Sequence, residues 1–166
     1  MISGDSLSAE RRGMSSSVPG IPAPTPAVSP ASGSVIDSGD YNGDGTADIS
    51  VFRPASGLWS VRGITRVYFG GSADSPVPGD YDGDGSADIA VFRPAAGLWA
   101  IRNFSRIYFG AAGDRPVPGD YSGAGSADIG VFRQASGLWA IRLLTRIYFG
   151  ESGDRPVPGR YIYGTE

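Results

Sequence analysis

Cysteine, histidine and lysine are absent from the sequence, so each of its fourteen basic residues is an arginine. The absence of cysteine and histidine excludes disulfides, thiolate and imidazole metal ligands, and catalytic triads that depend on histidine. The absence of lysine excludes Schiff-base chemistry. Any enzymatic activity must therefore rest on Asp, Glu, Tyr or Ser side chains, or on a bound metal.

Long apolar runs and a concentrated positive charge are also missing. No apolar stretch approaches the roughly 20 residues that a membrane-spanning helix needs, and Met1–Gly20 lacks the basic-then-apolar order of a secretory signal. The net charge is −3, and the arginines are spread evenly through the repeated part of the chain. We therefore expect no nucleic acid partner and no membrane insertion.

Residues 1–34 differ in composition from the rest of the chain. The stretch VPGIPAPTPAVSPASG, Val18–Gly33, is rich in proline, alanine and serine and has no hydrophobic periodicity. This composition is typical of an extended linker. We expect residues 1–34 to form a tail and residues 35–166 to form the folded domain.

The folded part is built from a unit that recurs every forty residues. A fixed period of this length indicates a solenoid, a propeller or an array of small units. An aspartate, a tryptophan and the tripeptide VFR all recur with this period, at Asp40, Asp80 and Asp120, at Trp59, Trp99 and Trp139, and at Val51, Val91 and Val131.

The composition of each unit predicts four short β-strands. In the second unit they are PVPGDY, ADIAVFRP, GLWAIR and RIYFG, which are rich in β-branched and aromatic residues and are separated by glycine and proline. Both alternating faces of DIAVF are apolar, so this sheet should be covered on both sides. The blades of a β-propeller meet this requirement. The predicted fold class is all-β, with three four-stranded propeller blades of about 40 residues each.

The loop GDYDGDGSAD, Gly79–Asp88, carries four carboxylates in ten residues. Counted from Asp80, they occupy positions 1, 3, 5 and 9, with glycine at positions 4 and 6. A tight glycine-containing turn can bring side chains at positions 1, 3 and 5 and a carbonyl at position 7 around one Ca²⁺ ion. An EF-hand would place its closing Glu at position 12 in a helix, whereas here the closing acid begins a strand. The pattern therefore predicts a calcium loop within a β-hairpin.

The same residues are also typical of a turn that binds no metal, because Asp caps its own turn well. Two intact copies in the same register favour the ion. Four acidic side chains in one turn repel each other unless a cation neutralises them.

The pattern D-x-[DN]-x-D-G-x-x-D between two strands resembles the calcium loop of the FG-GAP/VCBS repeats, the units of the integrin α-chain propeller. The tripeptide YFG in each unit resembles the Phe-Gly half of the family name, whereas FRP replaces the usual Gly-Ala-Pro. The resemblance covers Asp37–Tyr161 and implies Ca²⁺ as the bound ion. The ligands that it implies are Asp40, Asn42, Asp44, the Thr46 carbonyl and Asp48 in the first copy, and Asp80, Asp82, Asp84, the Ser86 carbonyl and Asp88 in the second.

The third copy of the loop keeps only two of its acids, Asp120 and Asp128. Ser122 and Ala124 stand where the central ligands should be. We expect this copy to bind no ion or to bind one very weakly, so that the chain holds two calcium ions.

The number of repeats predicts self-association. Three blades cannot close a ring, because propellers typically have four to eight. The segment RPVPGRY, Arg155–Tyr161, is an extra copy of the first strand of the unit. We expect oligomerisation to complete the propeller, as a six-bladed ring of two chains or as a filament, with this extra C-terminal strand added to a blade of a partner chain.

The resemblance implies a non-catalytic, calcium-stabilised module that is a structural or adhesive element of a cell surface or a secreted assembly. Its location would be extracellular or at the cell surface, and its ligand a protein or a glycan. The alternative is a glycan-binding lectin with repeated pockets between blades. An enzyme is disfavoured, because nearly every acid is better used by a calcium loop.

Two further groups of side chains have expected places in the blades. The tryptophans of the GLW tripeptides should fill the space between blades rather than stack on sugars. The arginines around the turn between the third and fourth strands, such as Arg62 and Arg66, should lie at the rim and pair with acids such as Asp74.

Overall fold

The computed structural model describes residues 39–158, which belong to the compact unit Gly33–Glu166. The predicted tail, residues 1–34, lies outside the described residues, and so do residues 159–161 of the predicted C-terminal strand.

The described chain forms three antiparallel sheets, one in each repeat. A single turn of 3₁₀ helix at Pro94–Ala96 is the one helical element of this range. The strands of the first sheet are β1 (Ser50–Arg53), β2 (Leu58–Val61) and β3 (Thr65–Tyr68); those of the second are β4 (Ser75–Pro76), β5 (Ala90–Arg93), β6 (Leu98–Ile101) and β7 (Ser105–Tyr108); those of the third are β8 (Arg115–Pro116), β9 (Gly130–Arg133), β10 (Leu138–Ile141) and β11 (Thr145–Tyr148).

The second and third sheets confirm the predicted four strands per repeat, paired in chain order. Their first strand is shorter than PVPGDY suggests, because only two residues pair with the next strand before the chain enters the acidic loop. In the first sheet the described residues supply three strands, β1 to β3. Arg155 and Pro156, which match the residues of β8 in sequence, have no partner strand within residues 39–158.

The glycine of each GLW tripeptide is required by a close approach of two backbone segments. Gly97 has a φ of 59°, and a Cβ atom there would lie 2.5 Å from the carbonyl oxygen of Gly110. Gly57 and Gly137 meet Gly70 and Gly150 in the same way. The hairpin that leads into the GLW strand (β2, β6 or β10) therefore closes only with glycine at this position.

The sheets pack face to face in chain order, so the second sheet is covered on both sides. Ile89 and Val91 are buried in one apolar cluster together with Trp59 of the first sheet. Phe92, on the opposite face of the same strand, is buried in a second cluster together with Val131 of the third sheet. The prediction that both faces of DIAVF are covered is thus confirmed.

The tryptophans of the first and second sheets fill the core, as predicted. Trp59 and Trp99 are buried, and the indole N–H of each donates a hydrogen bond of 3.1 Å to the carbonyl of a phenylalanine, Phe69 or Phe109. Trp139 keeps the equivalent bond but is only half-buried. Among residues 39–158 no helix is long and apolar enough to cross a membrane.

Candidate metal centre

The base of each acidic loop is closed by two hydrogen bonds that all three copies share. In the second loop the N–H of Asp88 donates to the Gly79 carbonyl at 2.8 Å, and the Asp88 carboxylate accepts from the N–H of Tyr81 at 2.9 Å. The first and third loops repeat both bonds. The aspartate at position 9 thus has a structural task in every copy.

The aspartate at position 1 accepts hydrogen bonds from backbone N–H groups in the middle of the loop. Asp80 is buried, and its two carboxylate oxygens accept from the N–H groups of Gly83 and Gly85 at 2.6 and 2.8 Å. Asp40 makes the equivalent bonds in the first loop. In the third loop Asp120 accepts from Gly125 at 3.0 Å, and its other carboxylate oxygen is buried with no hydrogen-bond partner in the described range.

The residues at positions 3 and 5 have no comparable task. Asp82 and Asp84 are exposed, and each accepts only from a backbone N–H two residues further along the loop. Ser122 and Ala124 replace them in the third copy, where the hairpin base stays closed. The hairpin base therefore closes without the central acids, and these acids are available for another purpose.

Three carboxylates of the second loop lie close enough together to hold one metal ion. Oxygen atoms of Asp80, Asp82 and Asp88 all lie within 4.8 Å of one another. A set made only of carboxylate oxygens suits a hard divalent cation such as Ca²⁺. Asp84 is not part of this cluster, and its Oδ1 accepts a hydrogen bond of 2.7 Å from the N–H of Ser86.

The electrostatics of the cluster favour a cation. Burial raises the pKa of Asp88 above its ordinary value, and the negative charges of Asp82, Asp84 and Asp80 raise it further, against a hydrogen bond from the Tyr81 backbone that lowers it. The carboxylates thus repel one another when all are ionised, and a bound divalent cation would remove this repulsion.

The first loop has a different arrangement, because position 3 is an amide. The Asn42 side chain donates to Asp44 at 3.0 Å, and the Thr46 hydroxyl donates to the other oxygen of Asp44 at 2.6 Å. The hydrogen bond from Thr46 contributes most, and that from Asn42 next, to a pKa of the Asp44 carboxyl that lies below its ordinary value. Within residues 39–158 the second loop alone forms a cluster of three carboxylates.

The structure corrects the predicted partner of the rim acids. Asp74 is buried and binds Arg93 through two hydrogen bonds, at 2.7 and 3.0 Å, and not Arg62 or Arg66. Asp114 binds Arg133 of the third sheet in the same way. The constant spacing of nineteen residues between acid and arginine was the signal in the sequence, since it recurs in two repeats.

Neighbouring repeats leave clefts at equivalent positions. The cleft between the first and second repeats has a volume of about 330 Å³ and is lined by Tyr41, Asp82 and Arg102, among others. The cleft between the second and third repeats has a volume of about 460 Å³ and includes Tyr81 and Arg142.

The comparison with known families supports the resemblance noted from the loops. Residues 32–70, which contain the first acidic loop and the first sheet, match the family model of the FG-GAP repeat. No curated protein and no solved structure matches the chain.

Proposed function

We propose that this chain, which carries an FG-GAP repeat at residues 32–70, is a non-catalytic, calcium-stabilised β-propeller module. It serves as a structural or adhesive element of a cell surface or secreted assembly. The observation that carries the proposal is the cluster of Asp80, Asp82 and Asp88, with oxygen atoms within 4.8 Å of one another.

Calcium explains acids that the fold itself does not need. Asp82 is exposed and makes only a local hydrogen bond, yet its negative charge is held beside those of Asp80 and Asp88. Such an arrangement is unfavourable without a cation. In the second loop the ion would be held by Asp80, Asp82, Asp84, the Ser86 carbonyl and Asp88, and in the first loop by Asp40, Asn42, Asp44, the Thr46 carbonyl and Asp48.

The burial of the second sheet between its two neighbours supports propeller blades, and the number of repeats supports self-association. The second sheet is covered on both faces, whereas the outer faces of the first and third sheets expose apolar residues such as Val51 and Phe149. Two chains would complete a six-bladed ring, and an interface that does not close would form a filament.

An extracellular or cell-surface location is proposed from the family resemblance alone, and the calcium affinity of extracellular modules fits that setting. FG-GAP repeats are typical of extracellular integrin-like proteins, and calcium sites of extracellular modules have dissociation constants of about 10⁻⁴–10⁻³ M. The proposal assigns no catalytic role, because the loop acids have ligand or backbone tasks.

Calorimetric titration of the metal-stripped chain with CaCl₂ tests the calcium sites. We expect two ions per chain and a higher midpoint of thermal unfolding, because an ion at about 100 times its dissociation constant adds about 2.7 kcal/mol to the free energy of unfolding. Three equal sites would contradict the proposed ligand set. An unchanged midpoint in saturating calcium would contradict a stabilising role.

A second candidate function is glycan binding in the repeated clefts. This function is favoured by one observation, the equivalent placement of Arg102 and Arg142 in two clefts between neighbouring repeats. A glycan array with the intact chain tests it. A lectin would bind a defined glycan and lose that binding in Arg102→Ala with Arg142→Ala, whereas Arg106→Ala with Arg146→Ala, at positions that line neither cleft, would keep it.

A further inference from the structure

We propose that the outer face of the third sheet binds the first sheet of a second copy, head to tail, by the same contacts that join neighbouring repeats within one chain. This inference rests on the self-association in the proposed function and identifies the two surfaces that form it. We call them the tail face, formed by the third sheet and residues 154–157, and the head face, formed by β1 and Ile49.

The tail face contains an apolar groove, whereas the equivalent surfaces of the first and second repeats are covered. The groove has a volume of about 670 Å³ and is lined by Trp139, Ile147, Phe149 and Val157. Val157 is 80% exposed, although its counterparts in the earlier repeats, Val77 and Val117, are 3% and 0% exposed. In both earlier cases the valine lies beside the strand that follows it in the chain, and its N–H donates to Ala90 of β5 or Gly130 of β9.

The head face carries the side chains that would fill such a groove. Ile49 and Val51 are 66% and 59% exposed, whereas Ile89 and Val91 at the same positions of the second repeat are 8% and 2% exposed. The first sheet covers these two residues of the second repeat. The head face therefore has the composition of a surface that packs against a preceding repeat.

A glycine-to-valine contact joins each pair of neighbouring repeats. A Cβ atom on Gly70 would lie 2.9 Å from Cγ1 of Val91, and one on Gly110 would lie 3.0 Å from Cγ1 of Val131. Gly150 meets no such valine within residues 39–158. Val51 of a second copy occupies the matching position.

Strand pairing extends in the same way. β4 and β8 each pair with the following strand of their own sheet, β5 or β9, with Arg115 opposite Phe132 and Pro116 opposite Val131. Arg155 and Pro156 are the next copy of this two-residue strand, and among residues 39–158 β1 is an edge strand of the first sheet. The repeated register places Arg155 opposite Phe52, and Pro156 opposite Val51, of the second copy.

A charged pair completes the interface. Asp74 and Asp114 each bind an arginine nineteen residues further on and are buried, whereas Asp154 is exposed. Arg53 of a second copy is the counterpart of Arg93 and Arg133 and supplies the missing partner of Asp154.

The occupant of the head face is a second copy rather than the chain's own residues 34–37. The paired segments carry Asp first and Val three residues later, as in Asp74 with Val77, and residues 154–157 keep both. In residues 34–37 a serine, Ser34, stands at the position of the acid, and an acid, Asp37, stands at the position of the valine.

Two variants, each with one of the two faces blocked by a charge, test the inference. Val51→Asp blocks the head face and Val157→Asp blocks the tail face, and both residues are exposed in the single chain, so the fold should persist. Analytical ultracentrifugation in calcium should show assemblies for the unmodified chain and monomers for each variant alone. An equimolar mixture should form a 1:1 dimer and nothing larger, because one intact head face meets one intact tail face.

A charge exchange provides a second measurement, and an exposed leucine provides the control. Arg53→Asp should raise the dissociation constant of the assembly about tenfold or more, and Arg53→Asp with Asp154→Arg in one chain should restore most of the loss. Leu143→Asp places the same charge on a side chain that is 90% exposed and should associate like the unmodified chain.

A monomeric unmodified chain, or blocked variants that fail to pair when mixed, would overturn the inference. Assemblies of more than two chains in the equimolar mixture would also overturn the inference, because they require a surface other than these two. Each outcome can be read separately from calcium binding: two calcium ions bound to a monomer would leave the calcium proposal standing and remove the head-to-tail interface.

Discussion

Individual aspartates in the acidic loops divide into two groups by what they contact. Those at positions 1 and 9, such as Asp80 and Asp88, accept backbone hydrogen bonds that shape the loop. Those at positions 3 and 5 are exposed and support only local turns. This division explains which two acids the third copy retains, since Asp120 and Asp128 are the two with backbone partners.

Asp82→Ala separates metal binding from folding. We expect calcium titration to find one ion per chain instead of two, because one of the three clustered carboxylates is lost. Without metal, the free energy of unfolding should change by no more than about 0.5 kcal/mol, as for an ordinary surface substitution. Ser122→Ala in the third loop is the matched control and should leave both values unchanged; equal loss of calcium in both variants would contradict the assignment.

The buried acid of each ion pair depends on its arginine. Arg133→Ala leaves the carboxylate of Asp114, whose side chain is 1% exposed, without its charged partner. We expect a loss of about 1–3 kcal/mol in the free energy of unfolding, the usual cost of an unsatisfied buried group. Denaturant unfolding in the Val157→Asp background, where association does not contribute, provides the measurement.

Arg53→Ala in the same background is the control for this prediction. Arg53 has the same place in its repeat, but residue 34 is serine, not aspartate. The change should therefore be close to neutral. A loss as large as that of Arg133→Ala would show that the arginine stabilises its strand without the acid.

At the scale of single elements, the acidic loop is a β-hairpin connection that can close with or without its central acids. The third loop keeps the Asp128 to Gly119 backbone bond at 2.8 Å and the Tyr121 bond to Asp128 at 2.9 Å. The buried oxygen of Asp120 that has no partner in the described range lies in this same loop. The third loop thus keeps the hairpin base of the other two loops and lacks their side chains at positions 3 and 5.

Restoring those ligands should create a third site. Ser122→Asp with Ala124→Asp adds two carboxylates at exposed positions, so the fold should tolerate both changes. We expect calorimetry to find three calcium ions per chain, and the metal-free chain to unfold at a slightly lower temperature because the added charges repel. Ser122→Asn with Ala124→Ser is the uncharged control, and a count that stays at two in the acidic variant would show that shape alone is insufficient.

At the scale of the whole molecule, each sheet depends on its neighbours for burial. The tryptophan of a repeat is buried when another repeat follows it, as for Trp59 and Trp99, and half-buried in the third repeat. Fluorescence quenching can therefore report whether the tail face is covered.

Iodide should quench Trp139 in the monomeric Val157→Asp chain and should quench it much less in the assembled unmodified chain. Trp139→Phe in the Val157→Asp chain should remove most of the quenchable signal, because the remaining tryptophans are buried. Rapid quenching of all three tryptophans in the assembled chain would contradict both the buried core and the covered tail face.

The sequence by itself determined the repeat, the strands and the loops. Three of these features act over a few residues: the apolar residues on both faces of DIAVF, the glycines of GLW and the acids of the loop. They can therefore be recognised in the sequence without knowledge of the fold. Burial of Trp59 and Trp99 followed from their apolar neighbours in the same way.

Only the tertiary structure decided which side chains meet between elements. Asp74 pairs with Arg93 rather than with Arg62 or Arg66 because β4 lies beside β5, and this places their side chains together across a loop of the chain. The difference between acids that hold the loop backbone, such as Asp80, and exposed acids, such as Asp82, also depends on the folded loop, since both kinds are aspartate. The number of repeats predicted that the chain associates, but the residues of the head and tail faces required the tertiary structure. Val51 and Val91 occupy the same position of their repeats, and Val91 is buried because the first sheet packs against it.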